Sequence, residues 1–279
     1  ATVTLTLKPM VDFAARGWIN GSTHVHMNYG GNLRNTLQNL MFMSKAEDQE
    51  VVNELVANKD NRILDWQHFV PGGGEHPVSK RDPETLVIVG EEYRPPFYGH
   101  VSFIGLRDHL ISPFTTGYEG TGIESLYPSN TDMFRKARAQ GAVVGYVHAF
   151  SGEADPLSSG LGVGRSFPVD AALGTIHTME WSAPSRAALS VWHHALNNDL
   201  PIAVVGGEDS ISSLHRTKLL GSLRTYAYVG KRDSASARGQ RNSKLTAEAW
   251  IRALKQGRTF FRSGPFLELS VNAAGPGDA

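Results

Sequence analysis

The chain has 279 residues, 41% of them hydrophobic, with 27 basic side chains balancing 27 acidic ones and no cysteine. Without cysteine there are no disulfides, thiolate nucleophiles or cysteine-ligated zinc, so His, Asp and Glu are the available metal ligands. No long run of either charge supplies an electrostatic footprint for nucleic acid or an anionic membrane, so a small neutral or mildly charged ligand is expected.

The length suits one large core in a single domain. No stretch approaches the roughly 18 consecutive apolar residues of a membrane span, and the first residues lack the basic, apolar and small-residue progression of a signal peptide. Residues 1–7 alternate as a strand does, and 274–279 read as a linker. The expected division is an N-terminal strand or linker over 1–16, a main domain over 17–265, and a C-terminal strand and linker over 266–279. Both ends look cut, which suggests a removed signal peptide or flanking domains and favours a periplasmic or secreted location over a cytoplasmic one.

Along the chain, Gly21-Ser22-Thr23-His24-Val25-His26-Met27-Asn28-Tyr29-Gly30-Gly31 places two histidines two apart on a strand, where they share a side and can grip one ion. Leu86-Val87-Ile88-Val89 is the next apolar β run. A helix is expected over 131–140 with Gly141 as its stop, then a strand over 142–147, and one long surface loop over 151–164. A helix over 185–198 leads into Ile202-Ala203-Val204-Val205, and a last helix over 246–256 is capped by Thr246 and ended by Gly257. This β/α alternation predicts an α/β fold, and the continuous apolar strands suit a parallel sheet buried on both faces. There is no internal repeat.

Further possible ligands follow the apolar runs, at the edge where an α/β fold gathers its site. These are Glu91 and Glu92, His100 in Phe97-Tyr98-Gly99-His100, His148 after Tyr146-Val147, and Asp209 after Gly206-Gly207-Glu208. Any one of them alone reads as an ordinary loop residue. Their recurrence needs a shared reason, which a cation supplies. His68, His76, His109, His177, His193 and His194 are left out of the site; His193 and His194 lie mid-helix, where a structural role is expected, and for His68 and His177 pocket lining stays open.

In its order of motifs the chain resembles the PHP (polymerase and histidinol phosphatase) superfamily of metallohydrolases: His-x-His, Gly-x-Glu, an isolated strand-end His and a late strand-end Asp. Gly17-Trp18-Ile19 ahead of the His-x-His motif, with Gly90-Glu91-Glu92-Tyr93-Arg94 and Tyr98-Gly99-His100, resembles the carbaryl-hydrolase-like (CehA/McbA) branch. The resemblance runs from about Gly17 to Gly264-Pro265 and implies a distorted TIM-like (β/α)7 barrel. It implies His24, His26, Glu92, His148 and Asp209 as metal ligands, with His100 as a further imidazole and Glu92 preferred to Glu91 on the Gly-x-Glu spacing. One or two divalent ions are expected, zinc, manganese or iron. Two positions depart from the pattern: Asn58-Lys59-Asp60 stands where Asp-His is common, and Ile211 replaces the second ligand of a late Asp-x-His.

The implied chemistry is hydrolysis of ester-type bonds by a metal-activated water, carbamate or carboxylic ester ahead of phosphate ester. His215 and Tyr29 are the general-acid candidates, Lys59 could replace the charge of a missing ion, and Arg94 and Arg216 could hold an anionic oxygen. The competing readings are a phosphoesterase with the same ligands and a non-enzymatic, metal-stabilised domain of a larger secreted protein.

Overall fold

The computed structural model describes residues 11–29, 34–59, 62–116, 125–212, 218–230, 245–264, 266–267 and 270–272. The expected strand over 1–7, the linker over 274–279, His215 and Arg216 lie outside these residues, as does the side chain of Lys59.

Nine strands form one sheet path. In chain order they are β1 (Trp18–His26), β2 (Val51–Lys59), β4 (Leu86–Tyr93), β5 (Val101–Ile104), β6 (Val143–Tyr146), β7 (Thr178–Trp181), β8 (Ala203–Gly206), β10 (Arg224–Tyr228) and β11 (Thr259–Arg262). Their spatial order is β11-β10-β1-β2-β4-β5-β6-β7-β8, with the short β3 (Arg62–Leu64) on β2 and the two-residue β9 (Ser210–Ile211) on β1. The two ends of the path approach each other. Thr259 on β11 donates from its hydroxyl to the Val204 carbonyl on β8 at 2.7 Å, and the rings of Trp181 and Phe261 lie 5.1 Å apart. The sheet is thus a nearly closed, distorted barrel of the expected α/β type.

The expectation of a parallel sheet needs correction. β1, β2 and β4 pair in parallel, as do β6, β7 and β8, but β5 runs antiparallel to both β4 and β6, and β10 antiparallel to β1 and β11. Apolar runs signal burial on both faces, which an antiparallel strand inside a covered barrel shares with a parallel one. The reversal of β5 has a functional consequence, because its start lies at the barrel edge where the parallel strands end.

Among the described residues six α-helices accompany the barrel. α1 (Leu37–Ala46) is capped by Thr36, and α2 (Asn130–Ala139) by a reciprocal Ser129–Asp132 box. α5 (Arg186–Asn197) and α6 (Ala247–Lys255) are capped by Ser185 and Thr246. α3 (Pro156–Ser159) and α4 (Phe167–Ala172) are short, and α3 interrupts the loop expected over 151–164. Gly141 and Gly257 take left-handed φ values of 84° and 68° just past α2 and α6, where a side chain would be strained. Trp250 of α6 is fully buried in one cluster with Ile19, Val51, Leu86 and Val143, so this helix plugs the barrel at the edge where β1, β2, β4 and β6 begin.

His177, expected outside the ligand set, belongs to the fold. It precedes β7, at the strand-start edge, where its Nδ1 accepts the Val144 N–H at 3.1 Å. Burial first, then the charges of Arg138 and Lys255, push its pKa from 6.5 down to about 4. The neutral ring is the folded form, so its contribution to stability is complete above 6.5 and is lost as pH falls from 6.5 through 4. Because the ring is partly exposed, solvent screening holds that loss to about 1 kcal/mol. Urea unfolding should show a smaller acid-side fall for His177→Gln, which keeps an acceptor for Val144, than for the wild type. Identical pH slopes would assign the acid sensitivity elsewhere.

Candidate metal centre

One barrel edge collects the histidines and carboxylates. β1 carries His24 and His26 at its end, β4 carries Glu92 and β7 carries Glu180, while His148 and Asp209 follow β6 and β8. His100 immediately precedes β5, and the antiparallel direction of that strand puts it at the same edge. Side-chain alternation separates the two glutamates of β4. Glu92 turns to the histidines, whereas Glu91 faces away and accepts the Ile111 N–H at 2.6 Å.

Glu92 is the hub. Its Oε2 lies 3.0 Å from His26 Nε2 and 3.8 Å from His24 Nε2, and its Oε1 lies 3.1 Å from His100 Nδ1 and 3.5 Å from His148 Nε2. Asp209 Oδ1 is 3.5 Å from both His24 Nε2 and His26 Nε2. Two sets of donor atoms, each within 4.8 Å of one another, result: His24, His26 and Asp209, and His24, Glu92 and His148. They share His24. His100 is in neither set, yet its Nδ1 is buried and has no hydrogen-bond partner among the described residues, although Glu92 lies close.

The tautomers test whether these residues fit a cation. His24 Nδ1 is 2.9 Å from Glu180 Oε1, and His26 Nδ1 is 2.9 Å from the Leu55 carbonyl. Both partners are acceptors, so each Nδ1 carries the hydrogen and each Nε2 is left with a lone pair. Those two Nε2 atoms face each other across 3.1 Å inside a fully buried group. Two lone pairs at that distance repel unless a positive charge lies between them. The charge balance of the cluster makes the same demand. Burial opposes an imidazolium at His24, but Glu180 and Asp209 outweigh it and hold the pKa well above the usual value. Burial likewise opposes the Glu92 carboxylate, and the surrounding His100, His148, His24 and His26 nevertheless hold it well below the usual carboxylate range. A divalent ion supplies this charge without protons, and imidazole with carboxylate suits zinc, manganese or iron.

Two of the donors sit on strained backbone. His148 and Asp209 have φ of 36° and 50°, conformations that cost a residue with a Cβ on the order of 1–3 kcal/mol and concentrate at functional sites. Beside Asp209, Glu208 points away, accepting from the Ser22 hydroxyl and from the Gly221 N–H at 2.6 Å, and burial pushes its pKa up to about 7.

Around the donors, Tyr29 stacks on His26 with ring centroids 4.6 Å apart. Arg94 lies over the Tyr29 ring at 4.7 Å, donates through Nη1 to the Tyr29 hydroxyl and to the Asn58 carbonyl, and keeps Nε 3.5 Å from Glu92. Lys218, half exposed, pairs with Asp209 Oδ2 at 3.2 Å. Glu180 and Lys218 were not singled out from the sequence. Glu180 had a usable signal, an acidic residue ending the apolar strand that follows His177; Lys218 had none. His68 lies on a 3₁₀ turn (Trp66–His68), its Nε2 3.5 Å from Nε2 of its neighbour Gln67.

No protein-family model and no curated protein sequence matches the chain. Among solved structures it is similar to a two-domain Bacteroides vulgatus protein containing a predicted PHP-like metal-dependent phosphoesterase. The TM-score is 0.50 and the identity 15%, over 94% of this chain and 69% of that one. PsfC from Pseudomonas syringae PB-5123 gives 0.49 and 15% over 89% and 92% of the two chains. The lesion-specific endonuclease Q of Pyrococcus furiosus gives 0.48 and 16% over 86% and 56%. At such identities the likeness is one of fold, and the fold is the distorted TIM-like α/β barrel of PHP proteins.

Proposed function

We propose that this protein is a metal-dependent hydrolase of ester-type bonds, working at the cluster of His24, His26, Glu92, His148 and Asp209. The observation that carries the reading is the pair of Nε2 atoms held face to face at 3.1 Å by Glu180 and the Leu55 carbonyl. A divalent ion bound there would lower the pKa of water toward 7 and polarise the oxygen of the scissile group.

The rest of the site follows from the chain's own groups. Glu180 and the Leu55 carbonyl keep His24 and His26 in the tautomer that presents Nε2. Burial holds the Tyr29 phenol above its ordinary pKa against the opposing charge of Arg94, so its Oη keeps a proton that can pass to a leaving oxygen. Arg94 and Lys218 flank the donors on two sides, giving an anionic oxygen of substrate two cationic neighbours. That pair favours a phosphoester substrate. A second reading, carried by the resemblance of the segment around His24 and Glu92 to carbaryl-hydrolase-like enzymes, is a carbamate or carboxylic ester. Roles for His215, Arg216 and Lys59 remain proposals that rest on sequence position.

The test combines elemental analysis of chelator-free protein with turnover of aryl phosphate, aryl carbamate and aryl ester before and after stripping. One or two ions per chain, with activity lost on stripping and restored by zinc or manganese, supports the hydrolase and ranks the substrates. Metal without turnover of any of them would instead mean a metal-stabilised structural domain. Protein that takes up no divalent ion would overturn the site.

A further inference from the structure

Just past the end of β1 lies a second polar group that the proposed hydrolysis does not use. Asn28, two residues past His26, donates its backbone N–H to Asp65 Oδ2 at 2.8 Å and its Nδ2 to Asp65 Oδ1 at 2.6 Å. Its Oδ1 accepts the Asn35 N–H at 2.7 Å, and Nδ2 also reaches the Asn35 carbonyl at 3.3 Å. Asn35 in turn donates from Nδ2 to Ser212 Oγ at 2.8 Å, and Ser212 donates its N–H to the His26 carbonyl at 2.8 Å, with its hydroxyl on the same oxygen at 3.2 Å. The chain of bonds therefore leaves β1 just past His26 and returns to His26 by way of the segment that follows Asp209.

Two features mark this as more than loop packing. Asp65 stands at the N-cap of its own 3₁₀ turn but makes no capping bond, sits 95% buried by its 5% exposure, and adopts a left-handed φ of 65°. Both of its oxygens are spent on Asn28 instead, a use that gives up the local stabilisation open to an N-cap acid. Second, the stretch after Asp209 is held to β1 differently from the stretch before it. The Thr23 and Ser22 hydroxyls tie Gly206 and Glu208 to β1, whereas beyond Asp209, among the described residues, β9 pairs with β1 through Val25↔Ser210 and His26↔Ile211, a short ladder that the Ser212 bonds extend. Asp209, directly before β9, is itself left-handed at φ 50°.

We propose that Asp65, Asn28, Asn35 and Ser212 form a clasp that fixes the separation of the His24–His26 arm from the Asp209 arm. Asn28 and Asp65 are then positioning residues for the ion held by His24, His26 and Asp209. The inference rests on the metal reading of the site.

The experiment uses the full chain, stripped with chelator and titrated with manganese(II) alone, bound ion being followed by electron paramagnetic resonance, alongside the melting temperature of the stripped protein. Asn28→Ala removes the side-chain bonds, and Asn28→Asp sets a carboxylate against that of Asp65. Each is expected to weaken manganese binding at least about tenfold, the scale of lost outer-shell support. The double swap Asn28→Asp with Asp65→Asn restores a donor opposite an acceptor and should recover most of the affinity. Asp170→Asn, which disturbs the buried Tyr146 hydrogen bond elsewhere in the fold, should lower the melting temperature while leaving the affinity alone. Should Asn28→Ala fail to fold, Ser212→Ala, which removes only the hydroxyl link, must show the same loss of affinity. Wild-type affinity in folded Asn28 or Ser212 variants, no recovery in the swap, or equal weakening in Asp170→Asn would overturn the clasp alone. A wild-type chain that binds no manganese or zinc would overturn the proposed function and the clasp together.

Discussion

Glu92→Ala is expected to remove a donor from the His24, Glu92 and His148 set, to loosen the His24, His26 and Asp209 set beside it, and to lower kcat/KM by at least about a thousandfold, roughly 4 kcal/mol of transition-state stabilisation. Glu92 is the one carboxylate whose two oxygens serve different histidines, Oε2 facing His24 and His26 and Oε1 facing His100 and His148. Its removal also leaves those imidazoles without the charge that organises them, so protons or repulsion, rather than a bound ion, decide their arrangement. The measurement is metal content by elemental analysis beside turnover of whichever aryl substrate the wild type cleaves. Glu91→Gln is the matched control: Glu91 neighbours Glu92 in sequence but faces the Ile111 amide. Retention of wild-type metal content in Glu92→Ala would remove Glu92 from the site.

The second large effect is expected at a glycine with no chemistry of its own. A Cβ at Gly207 would lie 2.3 Å from Glu180 Oε2 and 2.8 Å from the His24 Cβ, closer than atoms approach in folded proteins. Gly207→Ala must therefore push Glu180 off His24 or move His24 itself, and either releases the Nδ1–H that fixes the tautomer. Metal affinity should fall about 10- to 100-fold, as it should in Glu180→Ala, which removes the same support directly. Combining the two should cost little more than either alone, because both act through one hydrogen bond. Competition with a chelator of known affinity measures this. Additive losses in the double variant would mean that Gly207 acts on something other than the Glu180–His24 contact.

Much of the site could be read along single strands. His24 and His26 share a side because they are two apart on β1, and the Gly-x-Glu spacing selected Glu92, the residue that the structure turns toward the histidines. The cap at Thr246 and the stops at Gly141 and Gly257 were legible for a similar reason: a helix end is satisfied by atoms within a few residues of it. What the sequence by itself determined was local, namely which residues share a strand face, where helices begin and end, and which donor types are available for a metal.

Only the tertiary structure decided which strands meet and in which direction. Apolar runs look alike in parallel and antiparallel strands, so nothing local indicated that β5 reverses and brings His100, at its start, to the edge where the other strands end. Strand position alone left open whether His177, outside the ligand set, lines the pocket; pairing with β6 and β8 puts it at the opposite edge and sends Glu180, three residues later, to His24. The need for glycine at 207, the engagement of Arg94 with Tyr29, and the tie of Ser212 to His26 in the clasp join residues 27, 65 and as many as 186 positions apart. Hydrogen bonding and close packing act over a few ångströms in space, and sequence spacing reports such distances only within one element.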